Sequence, residues 1–186
     1  AEMPKLARFI GKTIRELPKK RGISEEEMLL ELLVAGEGRV IVFDRCLSSF
    51  GLLSLLKHPL AIVSTNGPGR NYEINPFILA HPRSFGAFPK FLGLVRKEKI
   101  LSWAEALYKI TSLPALKIGL KKRGFIKKGY FADLVVFDPE KIDSLSDFQN
   151  PYQKPQGIKY VIVNGEIAIE NGEFKNVLAG QVLVKS

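Results

Sequence analysis

The chain has 186 residues, 46% hydrophobic and 25% charged, with a formal net charge of +9. That is enough chain for one sizeable core and a small second domain. No apolar stretch approaches the roughly 20 residues that span a bilayer, and the basic N-terminus lacks the apolar core of a signal peptide, so a soluble, cytoplasmic protein is expected. The single Cys46 forms no internal disulfide and fits a reducing compartment.

In chain order, Ser24 and Glu27 stand at capping-box spacing before Met28, Leu29, Leu32 and Leu33, with Gly36 placed to end a helix. Val40 to Phe43 is a β-branched, aromatic run that predicts a buried strand. A second helix is predicted over about Ser48 to Lys57, and His58-Pro59 reads as a turn leading into a strand at Leu60-Ala61-Ile62-Val63. Helix, strand, helix, strand is the pattern of a parallel sheet with covering helices. In such sheets ligands gather at the carboxyl ends of strands. The run stops at Ser64-Thr65-Asn66-Gly67, where Asn66-Gly67 reads either as a plain turn or as a strand end carrying polar groups for a ligand.

Gly67 to about Lys99, rich in Gly, Pro and Phe, is predicted as a long loop. Its Asn71, Tyr72, His81, Arg83, Phe85 and Phe88 could line a pocket. Ser102 and Glu105 repeat the capping-box spacing before "WAEALYKIT", and "SLPALKIGL" reads as a further short helix. From Lys121 onward the pattern becomes all-β: a buried run at Leu134 to Phe137, a hairpin at Asn164-Gly165, a second turn at Asn171-Gly172, and one more strand in the tail "GQVLVKS". The basic residues lie in short clusters, Lys19-Lys20-Arg21, Lys121-Lys122-Arg123 and Lys127-Lys128, without an aromatic-rich motif between them. Solvated loops account for them, and neither nucleic acid nor a membrane surface is expected as a partner.

Four stretches, "HPRSFGAFPKFLG", "LSWAEALYKITSLPALKIGL", "RGFIKKGYFADLVVFDP" and "VNGEIAIENGE", resemble in order and spacing the C-terminal part of D-aminoacylases, the N-acyl-D-amino-acid deacylases of the amidohydrolase superfamily. The resemblance runs from about Pro18 to the end and covers only the closing part of such an enzyme. The third stretch is similar to the superfamily's general return from barrel to small β-domain, where Gly124 and Gly129 permit turns and Asp133 accepts turn amides. The first is more restricted to the D-aminoacylase branch.

The fold this implies is α/β: residues 1–118 as the last strands and helices of a (β/α) TIM-like barrel, and 119–186 as strands of a small β-sandwich domain. Such a chain is incomplete without another segment, so its expected partner is the missing N-terminal barrel segment or a complementing protein chain. The resemblance further implies a metal-dependent hydrolase that cleaves the amide of a small acylated amino acid, with zinc in the full family enzyme. In these enzymes the last barrel strand ends in an aspartate that touches the metal and takes the proton from the attacking water. Here Asn66 stands at the matching place, and an amide cannot act as a base.

The family's His-x-His pair is also missing: the two histidines are His58 and His81. No metal ligand is therefore assigned to this chain, no cofactor is expected in it, and alone it is expected to be inactive. The family's substrate-carboxylate arginine corresponds to Arg83, with His81 beside it in the "H-P-R" motif, and both are assigned to substrate binding. Two functions follow, the C-terminal portion of an amidohydrolase or a catalytically silent relative serving as a binding or structural subunit.

Overall fold

The structure is a computed structural model and describes residues 6, 8–17, 22–44, 48–69 and 80–183. It has two units, Ala1–Arg45 and Cys46–Ser186. In the first, helix α1 (Glu25–Ala35) starts where the capping box predicts: Ser24 Oγ accepts the Glu27 amide at 3.1 Å and the Glu27 carboxylate accepts the Ser24 amide at 2.9 Å. Each end satisfies a donor the helix leaves free. Met28 and Leu32 bury against Leu17, with Leu6, Phe9, Ile14 and Ile23 around them. Gly36 ends the helix for lack of room rather than for handedness, because a Cβ there would lie 2.6 Å from Val40 Cγ2. The strand expected at Val40 to Phe43 is not formed. The segment has no ladder partner among the described residues, and Ile41 and Val42 are more than half exposed. A β-branched run favours extended backbone, but a strand also needs a neighbour to pair with.

The second unit opens with α2 (Ser49–Lys57), capped by Ser48 Oγ on the Gly51 amide at 3.0 Å. His58 then makes the expected turn, its Nδ1 accepting the Leu60 amide at 3.3 Å. Leu60 to Val63 departs from expectation in the same way as the earlier run. It has no ladder partner among the described residues, with Leu60 and Ile62 exposed and Ala61 and Val63 half-buried.

A larger correction concerns the predicted loop Gly67 to Lys99, because Arg83–Glu98 is a helix, α3. Glycine, proline and phenylalanine suggested irregular chain, yet Phe85, Leu92 and Val95 recur at seven and three residues and bury along one face. Tertiary packing of that face overrides the unfavourable Pro89 inside the helix. Lys99, left-handed at φ 49°, closes it.

Helices α4 (Trp103–Ile110) and α5 (Ser112–Ile118) follow as read from the sequence. Ser102 and Glu105 form the second capping box, Ser102 Oγ accepting the Glu105 amide at 3.2 Å and Glu105 accepting the Ser102 amide at 2.9 Å. Replacing Ser102 with alanine is expected to destabilise this unit by about 1 kcal/mol. Denaturant unfolding followed by the fluorescence of Trp103, the chain's one tryptophan, checks it.

The C-terminal part is a four-stranded antiparallel sheet in the order β1-β2-β3-β4: β1 (Leu134–Phe137), β2 (Ile158–Val163), β3 (Glu166–Glu170) and β4 (Glu173–Phe174). Asn164 and Gly165 both have positive φ, 49° and 91°, as a two-residue type I′ turn requires, and Asn171 and Gly172 repeat this at 49° and 83°. The run at Leu134 to Phe137 forms its strand but is not buried, since Val135 is 55% and Val136 44% exposed. The tail is irregular through 183, with 184–186 outside the described residues.

Helices and sheet share one core. Phe91, Leu92 and Val95 of α3, Ala106 of α4 and Ile142 are buried, and Leu56, Val63, Trp103, Phe137 and Ile158 pack against them. No helix among the described residues is long and apolar enough to cross a membrane.

Candidate active site

The segment leading to Asn66 is held at its start by Lys109 of α4. This lysine is buried at 4% exposure, and its ammonium donates to the carbonyls of His58 and, at 3.1 Å, of Ala61. Farther along, Val63 packs on the core. The polar end then curls. The Asn66 amide faces Ser64 Oγ at 3.4 Å, the Gly67 amide donates to Thr65 Oγ1 at 3.3 Å, and Asn66 takes a left-handed φ of 43° that a short polar side chain tolerates. Asn66 is exposed. Gly67 comes so close to the start of α3 that a Cβ on it would lie 2.9 Å from Ser84 Oγ and 3.1 Å from Ser84 Cα. Two predicted positions far apart in sequence, the end of the run and the "H-P-R" motif, are thereby brought side by side.

The first turn of α3 is fully provided for. Pro82, the N-cap, has no side chain that could accept a hydrogen bond. Instead His81 Nδ1 accepts the Arg83 amide at 3.1 Å and the His81 carbonyl accepts the Ser84 amide at 3.0 Å. The Pro82 carbonyl takes those of Phe85 and Gly86 at 3.1 and 3.0 Å. Because the N-cap proline has no N–H, the helix start leaves three donors free, those of Arg83, Ser84 and Phe85, and all three are used. Burial, and secondarily the positive charge of Arg83, hold the His81 pKa below its ordinary value. The lowered pKa favours the neutral imidazole, whose Nδ1 lone pair accepts the Arg83 amide. The His81 ring also meets Phe148 edge-on, centroids 5.1 Å apart. Arg83 itself is exposed, and a planar guanidinium is suited to pairing with a carboxylate.

Three contributors to this arrangement escaped the sequence reading. Besides Lys109 and Phe148, Asp143 lies 4% exposed against α3, its carboxylate 2.5 Å from Lys97 Nζ, 3.7 Å from Arg96 and 3.9 Å from Lys90. It can come so close because Gly93 has no Cβ, which would sit 2.6 Å from the carboxyl. Two turns earlier, Gly86 admits Ser144 in the same way, and Phe85 packs on Tyr152 at 4.9 Å. Two glycines seven apart on one helix face were the signal that another chain segment packs there.

The donors for a metal do not come together. Among the described residues no group of three or more His, Cys, Asp or Glu could hold an ion, and His58 and His81 already use Nδ1 on backbone amides. Cys46, Asn71 and Tyr72 lie outside the described residues. The described residues do not by themselves make up a zinc site.

The amidohydrolase family model matches residues 52–169. N-acyl-D-aspartate deacylase of Alcaligenes xylosoxydans xylosoxydans is 33% identical over 174 residues, 93% of this chain and 33% of that enzyme. A crystal structure of D-aminoacylase superposes with a TM-score of 0.78 at 29% identity, over 97% of this chain and 36% of that one. A second D-aminoacylase structure, from work on the functional role of that enzyme's binuclear metal centre, superposes with a TM-score of 0.75 at 29% identity over 98% of this chain and 36% of that one. The chain spans about a third of the length of these relatives. With the family model covering more than half of its residues and D-aminoacylases among its structural neighbours, this chain belongs to the amidohydrolase family.

Proposed function

We propose that the chain is the C-terminal portion or a subunit of an amidohydrolase that handles N-acyl-D-amino acids, with residues 1–118 closing a (β/α) barrel and 119–186 contributing to a small β-sandwich. The observation that supports this reading is the close approach of Gly67 to Ser84, the chain neighbours of Asn66 and Arg83. In this reading Arg83 receives the substrate carboxylate through two charge-assisted hydrogen bonds, and Asn66 occupies the position from which the family's carboxylate takes a proton. The metal ligands come from the rest of the barrel, carried by a preceding segment or a complementing chain in the cytoplasm. The exposed apolar side chains of Leu60, Ile62, Val135 and Val136 are suited to being covered by it.

Asn66 favours a second reading, a catalytically silent relative that keeps the pocket for binding, because an amide can donate and accept hydrogen bonds but cannot accept the proton. The two readings part in one experiment. The chain alone, with added zinc, is expected to hydrolyse no N-acyl-D-amino acid, and sustained turnover after rigorous purification would overturn the role given to Asn66. Joined to a complementing segment that carries His-x-His, Asn66→Asp is expected to raise turnover in an enzyme and to leave it at zero in a silent relative. In the same assembly Arg83→Ala is expected to weaken binding of N-acetyl-D-leucine by about 2 kcal/mol, the lower end for a desolvated charge pair because Arg83 starts exposed. Calorimetry reads it, and equal affinity removes Arg83 from the site.

A further inference from the structure

We propose that His81 and Phe148 are positioning residues for Arg83: the imidazole fixes the Arg83 backbone amide, and the Phe148 ring buttresses the imidazole. The geometry comes from two parts of the chain. On the helix side, the Arg83 amide has its acceptor in His81 Nδ1, because Pro82 between them supplies no side-chain oxygen. An accepting Nδ1 places the single ring proton of neutral histidine on Nε2. The low pKa of His81 agrees with a ring kept neutral for this bond.

On the other side, Phe148 stands on a turn that is braced at several points. The Asp147 carboxylate accepts the amides of Gln149 at 2.8 Å and Asn150 at 2.6 Å, the Asp147 amide donates back to the Asn150 carbonyl at 3.3 Å, and Ser146 Oγ donates to the Gln153 carbonyl at 3.1 Å. The same segment is locked to α3 through Ser144 in the space above Gly86 and Tyr152 against Phe85. An aromatic ring on a braced turn meets an imidazole edge-on, and that imidazole sets the first amide of the helix that carries Arg83. A loop between β1 and β2 thus determines where the guanidinium begins.

The consequence for ligands rests on the reading that Arg83 binds a carboxylate, whereas the consequence for the backbone does not, and the test separates them. Nitrogen-15 spectra of the full chain resolve the imidazoles readily, since there are two histidines and His58 serves as internal reference. His81 is expected with its proton on Nε2. Losing a helix-start acceptor corresponds to about a fivefold change in local opening. Hydrogen exchange at the Arg83 amide should therefore rise about fivefold or more in His81→Leu and Phe148→Leu, stay unchanged in Phe148→Tyr, and recover in part in His81→Asn, whose carbonyl can accept. Unchanged exchange in both leucine variants, or a proton on Nδ1 of His81, would overturn the proposal.

In the assembly with a complementing segment, Phe148→Leu should weaken N-acetyl-D-leucine several-fold and leave its C-terminal amide, which lacks the carboxylate, unaffected. Equal weakening of both ligands would overturn action through Arg83. If Arg83→Ala changes neither ligand while the exchange still responds to Phe148→Leu, the carboxylate reading fails and the positioning of the backbone stands.

Discussion

Replacing Asp143 with alanine is expected to destabilise the unit Cys46–Ser186 by about 3 to 4 kcal/mol, the effect of breaking a buried ion pair from one side. The carboxylate is where α3 and the segment before β2 meet. It accepts from Lys97 and from the Ser144 amide at 2.8 Å, lies within ion-pair distance of Arg96 and Lys90, and its backbone pairs with Gln156. Alanine would leave a void above Gly93 and three cations facing one another without an anion. Arg96 is the least able to turn to water, being 26% exposed with its Nε buried and lacking a hydrogen bond. Asp143→Asn keeps the shape and should fall about midway, which separates charge from packing. Trp103, packed on Phe137 at 5.8 Å, reports the unfolding of this unit. A midpoint in denaturant unchanged by Asp143→Ala would show that the cations hold α3 without it.

The same carboxylate predicts a pH dependence. Burial pushes the Asp143 pKa up, but the hydrogen bonds from Lys97 and the Ser144 amide and the charges of Lys90 and Lys97 outweigh it, so the pKa lies below its ordinary value. An acid with a lowered folded-state pKa binds its proton less readily when folded than when unfolded. Its contribution is therefore complete above the unfolded pKa of about 4 and disappears as the pH falls through the lower folded value. Comparing acid unfolding of the parent and Asp143→Asn isolates it. The parent should lose stability below about pH 4 more steeply, so that the difference between them shrinks.

The second large effect is expected at Arg123, where alanine should cost about 3 kcal/mol. The guanidinium is 9% exposed. It pairs with Asp133, donates to Asn164 Oδ1 at 2.8 Å and lies over the Phe131 ring at 4.1 Å. Asp133 in turn accepts the Asn164 amide at 2.8 Å, and Asn164 Nδ2 donates to the Ala179 carbonyl at 2.6 Å. One arginine therefore ties the chain entering β1, the turn between β2 and β3, and the segment after β4. Lysine would restore the charge but not the planar fork, so Arg123→Lys should recover less than half of the loss. Exchange at the Asn164 amide is the local measurement, and denaturation the global one. Should Arg123→Lys prove as stable as the parent, the charge alone holds the turn.

Local chemistry was legible in the sequence. Ser24 with Glu27 and Ser102 with Glu105 begin their helices where their spacing says, and Asn164-Gly165 makes its turn, because each depends on atoms within a few residues. The resemblance in four stretches identified the family; its "H-P-R" motif singled out His81 and Arg83, and the end of the run at Leu60 singled out Asn66. Tertiary structure decided the rest. The residues of α3 read as loop by composition and are helical because Phe85, Leu92 and Val95 find a core to bury in, while the runs at Val40 and Leu60 read as strands and have no ladder partner among the described residues. Asp143, Lys109 and Phe148 have no local signature. Their roles come from a carboxylate, an ammonium and a ring reaching backbone and side chains dozens of residues away, and such long-range contacts exist only once the chain has folded.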